Sequence, residues 1–140
     1  MKRILFVVLF IVCMTCANRF ASAQVLVIAN PKIGINAISK NDLRQIFIGG
    51  ESNLGELLHL VPILMKTGDA NDKFLSLYVG KTDSAFKASW RSLVFSGHAS
   101  MPKYLDSEAD MIDFIAHNTD AIGYVGATTA HPGVKVLAVK

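Results

Sequence analysis

The stretch from Ser39 to Gly50, S-K-N-D-L-R-Q-I-F-I-G-G, leaves the chain fewer choices than any other part of it, because it specifies both ends of a short helix. Ser39 is placed to accept a hydrogen bond from a free amide of the first turn, and Asp42, three residues on, is the acidic partner of a capping box. Leu43, Ile46 and Phe47 recur at i, i+3 and i+4 and so share one face. Gly49 and Gly50 end the element, since glycine takes the left-handed conformation without penalty. On spacing alone this is an amphipathic helix docked on an α/β core.

The first residues decide how the rest is counted. Lys2 and Arg3 precede an apolar run from Ile4 to Ala17, which is short for a bilayer span. Ala21-Ser22-Ala23 supplies the small residues of a cleavage site. Residues 1–23 therefore read as a secretory signal, cut between Ala23 and Gln24. Asn18 and Arg19 interrupt the apolar run and speak against an uncleaved anchor. Cys13 and Cys16 follow Val12 and Thr15, a poor context for acylation. Lys2, Arg3 and Arg19 are three of the 14 Lys+Arg, so without this segment the basic residues balance the 11 Asp+Glu and the net charge of +3 vanishes. The basic pI is then no footprint for nucleic acid or for a membrane. Both cysteines leave with the segment, so the exported chain has no disulfide and no cysteine metal site. Residues 24–140 have the length of one domain, with no repeat or linker dividing them.

Along that domain, Val25 to Ala29 is a continuous apolar run of the kind found in strands covered on both faces. Leu58 to Met65 is a second strand, in which Pro62 points to an edge position or a bulge. Lys66 to Asp72, K-T-G-D-A-N-D, is a polar loop entering a helix whose apolar side is Phe74, Leu75, Leu77 and Tyr78. Thr82 caps a further helix with Ala85, Phe86, Ser89, Trp90 and Leu93 at helical spacing, and Trp90 is its core anchor. Phe95-Ser96-Gly97-His98 breaks that helix, and Pro102 lies in the loop beyond. Ser107 with Asp110 starts a last helix carrying Met111, Phe114 and Ile115 and running to Asn118. Ala121–Val125 and Val134–Val139 are strands. The expected order is β-α-β-α-α-α-β-β, an α/β layer fold.

Catalytic and metal chemistry find no pattern. His59, His98, His117 and His131 stand at no ligand spacing; His59 reads as a strand residue and His117 as a cation in a helix's last turn. Asp106, Glu108, Asp110 and Asp113 read as first-turn helix acids, since no calcium-loop pattern surrounds them. Ser96 and His98 are a nucleophile and a base by type, without the elbow that would activate the serine. No catalytic residue, metal ligand or cofactor is assigned, and the chain is not expected to be an enzyme.

Ile46-Phe47-Ile48-Gly49, the Pro62 strand, the Phe74 helix, Trp90, Phe95-Ser96-Gly97 and Ala121-Ile122-Gly123-Tyr124-Val125 follow one another in an order that resembles the phosphate-type periplasmic substrate-binding proteins of ABC transporters. The resemblance implies one lobe of a type II periplasmic-binding-protein-like fold, a mixed and mostly parallel sheet flanked by helices. It also implies a ligand loop. In the family an arginine precedes Asp-Gly-Ser-Gly-Thr, which cradles phosphate at a helix N-terminus. Registered on Phe74, Lys66 takes the arginine's place, Ala70 the serine's, Asn71 the glycine's and Asp72 the threonine's. Candidate ligand residues are therefore Lys66, Thr67, Gly68, Asp69, Ala70, Asn71 and Asp72. Two hydroxyl donors are gone from this set, and Asp72 brings a carboxylate toward the expected anion. Thr67, Asp69 and Asp72 also suit capping and the helix dipole. Two functions follow: an exported module for a small, phosphate-type anion, associated with ABC phosphate transport, or an accessory module that has lost anion binding and meets a protein partner or a second copy. Neither involves nucleic acid, or a membrane once the signal is removed.

Overall fold

The computed structural model describes residues 25–50, 54 and 59–140. The expected signal segment and its cleavage point, most of the expected loop at 51–55 and the expected strand start at Leu58 lie outside the described residues. Strands β1 (Val25–Ala29), β3 (Val61–Met65), β4 (Lys103–Leu105), β5 (Ala121–Gly126) and β6 (Lys135–Val136) form a five-stranded sheet in the order β4-β3-β5-β1-β6. β3 runs parallel to β4 and to β5, and β1 antiparallel to β5 and β6, so β1 alone opposes the other four. Two short strands, β2 (Ala37–Ile38) and β7 (Ala138–Val139), pair in parallel beside this sheet. The helices are α1 (Lys40–Ile48), α2 (Asp69–Phe74), α3 (Asp83–Phe95) and α4 (Glu108–His117), with a π-helical turn (Leu75–Val79) continuing α2. This is the expected mixed, mostly parallel α/β architecture.

The caps at Ser39, Thr82 and Ser107 form as the sequence predicts. Ser39 Oγ accepts the Asp42 N–H at 3.0 Å and donates to Asp42 Oδ2 at 2.6 Å. Thr82 and Ser107 accept from the amides of Ala85 and Asp110. α1 buries Leu43 and Phe47 fully and Ile46 nearly so. Trp90 is buried, and its Nε1–H donates to the Phe47 carbonyl at 2.9 Å, which ties α3 to the end of α1. α4 lies so close to β5 that a Cβ at Gly123 would come within 2.5 Å of Met111 Sδ and 2.7 Å of Ile115 Cδ1. Any larger residue there would force the Met111 and Ile115 side chains to shift. Asn30, which closes β1, is buried and donates to the carbonyls of Ile115 and Ala116, satisfying the C-terminal end of α4.

Six expectations change. β4 occupies part of what reads as loop after Pro102, and β2 pairs with the end of the chain; both are too short to show a period. The final strand is two pieces, β6 and β7, separated by Leu137, which is buried while its N–H bonds to the Val27 carbonyl. Pro62 lies in an interior strand, yet it removes no ladder bond. Val61 N–H donates to Asp120 O on the β5 side, so the nitrogen of residue 62 faces the β4 side, and β4 begins only opposite Ile63. Leu77 is 46% exposed and Val79 is buried in its stead, because the π-turn rotates the helix face by an extra residue. His59 is exposed and precedes β3 rather than lying within it.

Phe47 contacts Phe74 edge-on, at 4.6 Å between ring centroids, at the centre of this packing. Phe47→Ala is expected to cost about 3–5 kcal/mol by emptying a buried aromatic site. A chemical-denaturation midpoint near that of wild type would contradict the packing described.

Candidate functional site

The parallel strands β3, β4 and β5 end on one side of the sheet. The chain leaves β3 for β4 on one flank and returns to β5 on the other, so the order reverses between β3 and β5. Open α/β sheets hold ligands in the crevice outside the carboxyl ends of their strands, at such a reversal. In this fold that crevice is a cleft of about 540 Å³. Met65 and the Thr67–Ala70 segment form one wall; Gly126, the last residue of β5, and Thr129 beyond it form the other. Lys73, Asp106 and Glu108 complete the polar lining. Gly68 sits at φ 116°, ψ 166°, a conformation that suits glycine, and starts α2 without a side-chain cap. Thr67 is therefore not the cap that the sequence suggested, while Asp69 and Asp72 do lie in the first turn.

The seven candidate residues are not gathered round this cleft. Thr67, Gly68, Asp69 and Ala70 line it. Lys66 lies beside a neighbouring hollow with Lys87, Arg91, Met101 and Tyr104, and its ammonium is 2.7 Å from Asp106 Oδ1. Asp72 lines a third cavity with Ser76 and the Gly80–Ser84 turn. Asn71 is buried, and both ends of its amide are used inside the protein. Its Nδ2 donates to Asp83 Oδ1 at 2.8 Å, and its Oδ1 accepts the Tyr124 hydroxyl at 2.6 Å. Tyr124 Oη in turn accepts the Met65 N–H at 3.0 Å. Lys87 extends the chain outward, to Asp83 Oδ2 at 2.8 Å and to the Lys66 carbonyl at 2.7 Å. Burial, above all, pushes the Tyr124 hydroxyl well above the ordinary tyrosine range, so it stays protonated and donating.

The charge of the cleft is acidic. Asp69, Asp106 and Glu108 face it with Lys73, whose ammonium is 3.6 Å from Asp69 Oδ2. The Lys66–Asp106 and Lys73–Asp69 pairs are largely exposed and contribute little to stability. Glu108 turns away from its own helix. Its Oε1 accepts the Gly126 N–H at 2.5 Å, and its Oε2 accepts the Thr129 hydroxyl at 2.7 Å. Sequence reading placed Glu108 among first-turn acids, which it is, but gave no sign of the strand end that it meets.

The other side chains weighed for metal binding or catalysis are placed as follows. Among the described residues no group of three or more His, Asp, Glu or Cys could hold a metal. Ser96 Oγ does approach His98 Nδ1, at 2.8 Å, but its hydroxyl also bonds the Leu93 carbonyl in the exposed turn that ends α3. His117 bonds the Asp113 carbonyl in the last turn of α4. No described helix is long and apolar enough to cross a membrane.

No family model and no curated protein matches the sequence. Solved structures do match the fold. An ABC-type phosphate transport receptor from Vibrio cholerae superposes with a TM-score of 0.63 at 16% identity, over 83% of this chain and 46% of that one. A putative phosphate ABC transporter substrate-binding protein from Clostridium perfringens, solved with bound phosphate, gives 0.61 at 17% identity over 83% and 44%. PstS from Borrelia burgdorferi gives 0.62 at 17% identity over 84% and 47%. The fold is thus that of one part of these receptors, and the chain spans less than half the length of the receptors it matches.

Tyr124→Phe removes one partner each from a buried amide and a buried carbonyl oxygen, and is expected to cost about 1–3 kcal/mol. The unfolded phenol ionises near pH 10 and the buried one higher. This contribution is therefore full below about pH 10 and is lost as pH rises beyond it. Denaturant midpoints measured from neutral to alkaline pH should show wild type falling more steeply than Tyr124→Phe. Equal midpoints at neutral pH would contradict the network.

Proposed function

We propose that this chain is an exported, non-catalytic, substrate-binding-like module of the phosphate-receptor type, whose cleft faces small oxyanions but holds phosphate only weakly. The observation that carries this reading is the place of the cleft: it lies at the strand-end reversal of a fold shared with phosphate-transport receptors, and it is lined by carboxylates. Weakness follows from the chemistry. Asn71, which occupies a ligand-loop position, is buried and bonded at both ends of its amide in the interior. Lys66 is drawn to Asp106, and a flexible, hydrated ammonium does not replace a bidentate arginine. Phosphate would enter beside Asp69, Asp106 and Glu108, and like charges at contact distance oppose it. Residues 1–23 act as the signal that delivers the remaining domain, residues 24–140, to the periplasm or exterior.

A second reading, an accessory module that meets a protein partner or a second copy, is favoured by one feature. Phe95, at the end of α3, is 96% exposed, and Met101 nearby in sequence is 54% exposed. In-cell crosslinking of the exported protein, repeated with Phe95→Ser, tests it. A crosslinked species lost with the substitution would support this reading, and an unchanged pattern would remove it.

Calorimetry of the purified exported form with inorganic phosphate at neutral pH should give no submicromolar binding, and submicromolar binding would overturn the first reading. Asp72→Thr should leave the titration unchanged, since Asp72 lines a different cavity from the cleft. N-terminal sequencing of the exported form should begin at Gln24, and an intact Met1 in the membrane fraction would refute the signal.

A further inference from the structure

The contact between Glu108 and the end of β5 does more than join two elements. A first-turn acid serves the helix dipole wherever its carboxylate points, and the Asp110 amide of that turn is already capped by Ser107. Glu108 instead reaches across to a backbone amide, Gly126 N–H, and to a hydroxyl three residues further on, Thr129 Oγ1–H. Each donor meets a different oxygen of the same carboxylate. Glu108 is half-buried, and among the described residues it has no ion pair with a lysine or arginine, so neutral donors alone hold it. A backbone amide and a hydroxyl converging on one anion are the parts of an oxyanion site. The approach is close: a Cβ at Gly126 would lie 3.0 Å from Glu108 Oε1. All three residues line the cleft with Thr67, Gly68 and Ala70.

We propose that Gly126 N–H and Thr129 Oγ1 are the oxyanion-binding pair of the cleft, and that the Glu108 carboxylate is their resident occupant, which excludes free phosphate. This rests on the reading of the cleft as the ligand-facing surface. Exclusion acts twice. The donors are filled from within the molecule, without the loss of translational freedom that a free ion would suffer. The occupant's charge also repels a second anion from the same space. A phosphate or carboxylate ligand therefore gains the pair only when Glu108 is displaced or neutralised.

The test is titration with inorganic phosphate, followed by calorimetry and by the Gly126 amide resonance in two-dimensional NMR. It compares wild type with Glu108→Ala, Glu108→Gln and Asp106→Asn. Glu108→Ala is expected to bind phosphate at least about tenfold more tightly than wild type, because a donor pair is freed and a like charge removed. The Gly126 amide should shift on titration in this variant and not in wild type. Glu108→Gln keeps the side chain's size and removes its charge, so it carries the test if Glu108→Ala does not fold; a smaller gain with a shifting Gly126 amide is expected. Asp106→Asn removes a cleft charge but leaves the pair filled, and its Gly126 amide should not respond. An unmoved Gly126 amide in the folded Glu108 variants would overturn the assignment, as would an equal gain in Asp106→Asn. Submicromolar binding by wild type would instead defeat the weak-cleft reading, whichever amides respond.

Discussion

The Tyr124 hydroxyl is the point on which the structure depends. It accepts from the last amide of β3, Met65 N–H, and donates to the side chain of Asn71 in the first helical turn beyond that strand. Its ring stacks on Phe74, 4.1 Å between centroids and 5° from parallel, and Phe74 in turn packs against Phe47 of α1. One side chain on β5 thus fixes how β3 passes into α2 and where the capped helix rests. In a buried setting such bonds are strong and costly to leave unmade. The network does not end in the core. From Asn71 it continues through Asp83 and Lys87 to the carbonyl of Lys66, so both ends of the loop are tied to α3.

That arrangement has a consequence for chemistry. The loop between Met65 and Asp72 flanks the crevice at the strand ends, but its Asn71 side chain faces inward. The polar side chains that line the cleft are Thr67, Thr128, Thr129, Lys73 and three carboxylates, Asp69, Asp106 and Glu108. Two exposed ion pairs take up Lys66 and Lys73 without adding much stability, and they leave the cleft's acidity in place. Fold and lining are separable: the strand order creates the crevice, while the charge of the groups lining it is set independently, here with three carboxylates against Lys73.

The elements legible in the sequence were those whose signals are local. Ser39, Thr82 and Ser107 mark their helix starts because capping is a matter of adjacent residues. Trp90 announced itself by helical spacing, and Val25–Ala29 by unbroken apolarity. β2 and β4 were missed because two or three residues cannot display a period. Pro62 was misread because its tolerance depends on where β4 begins, a non-local fact. Leu77 was misplaced because a π-turn changes the phase in mid-helix, and nothing in the sequence marks that change. The candidate site was legible only as a stretch. Loop spacing cannot say that Lys66, Asn71 and Asp72 turn to three different surroundings, nor that Glu108 crosses to Gly126.

The most direct measurement of the Tyr124 tie is native-state hydrogen exchange at the Met65 amide as a function of denaturant. With the hydroxyl bond as described, Met65 N–H is expected to exchange only through opening on the scale of global unfolding, with the denaturant dependence of that transition. Exchange through small local openings, fast and insensitive to denaturant, would show that Tyr124 does not hold the end of β3, and would contradict its role in fixing the wall of the cleft.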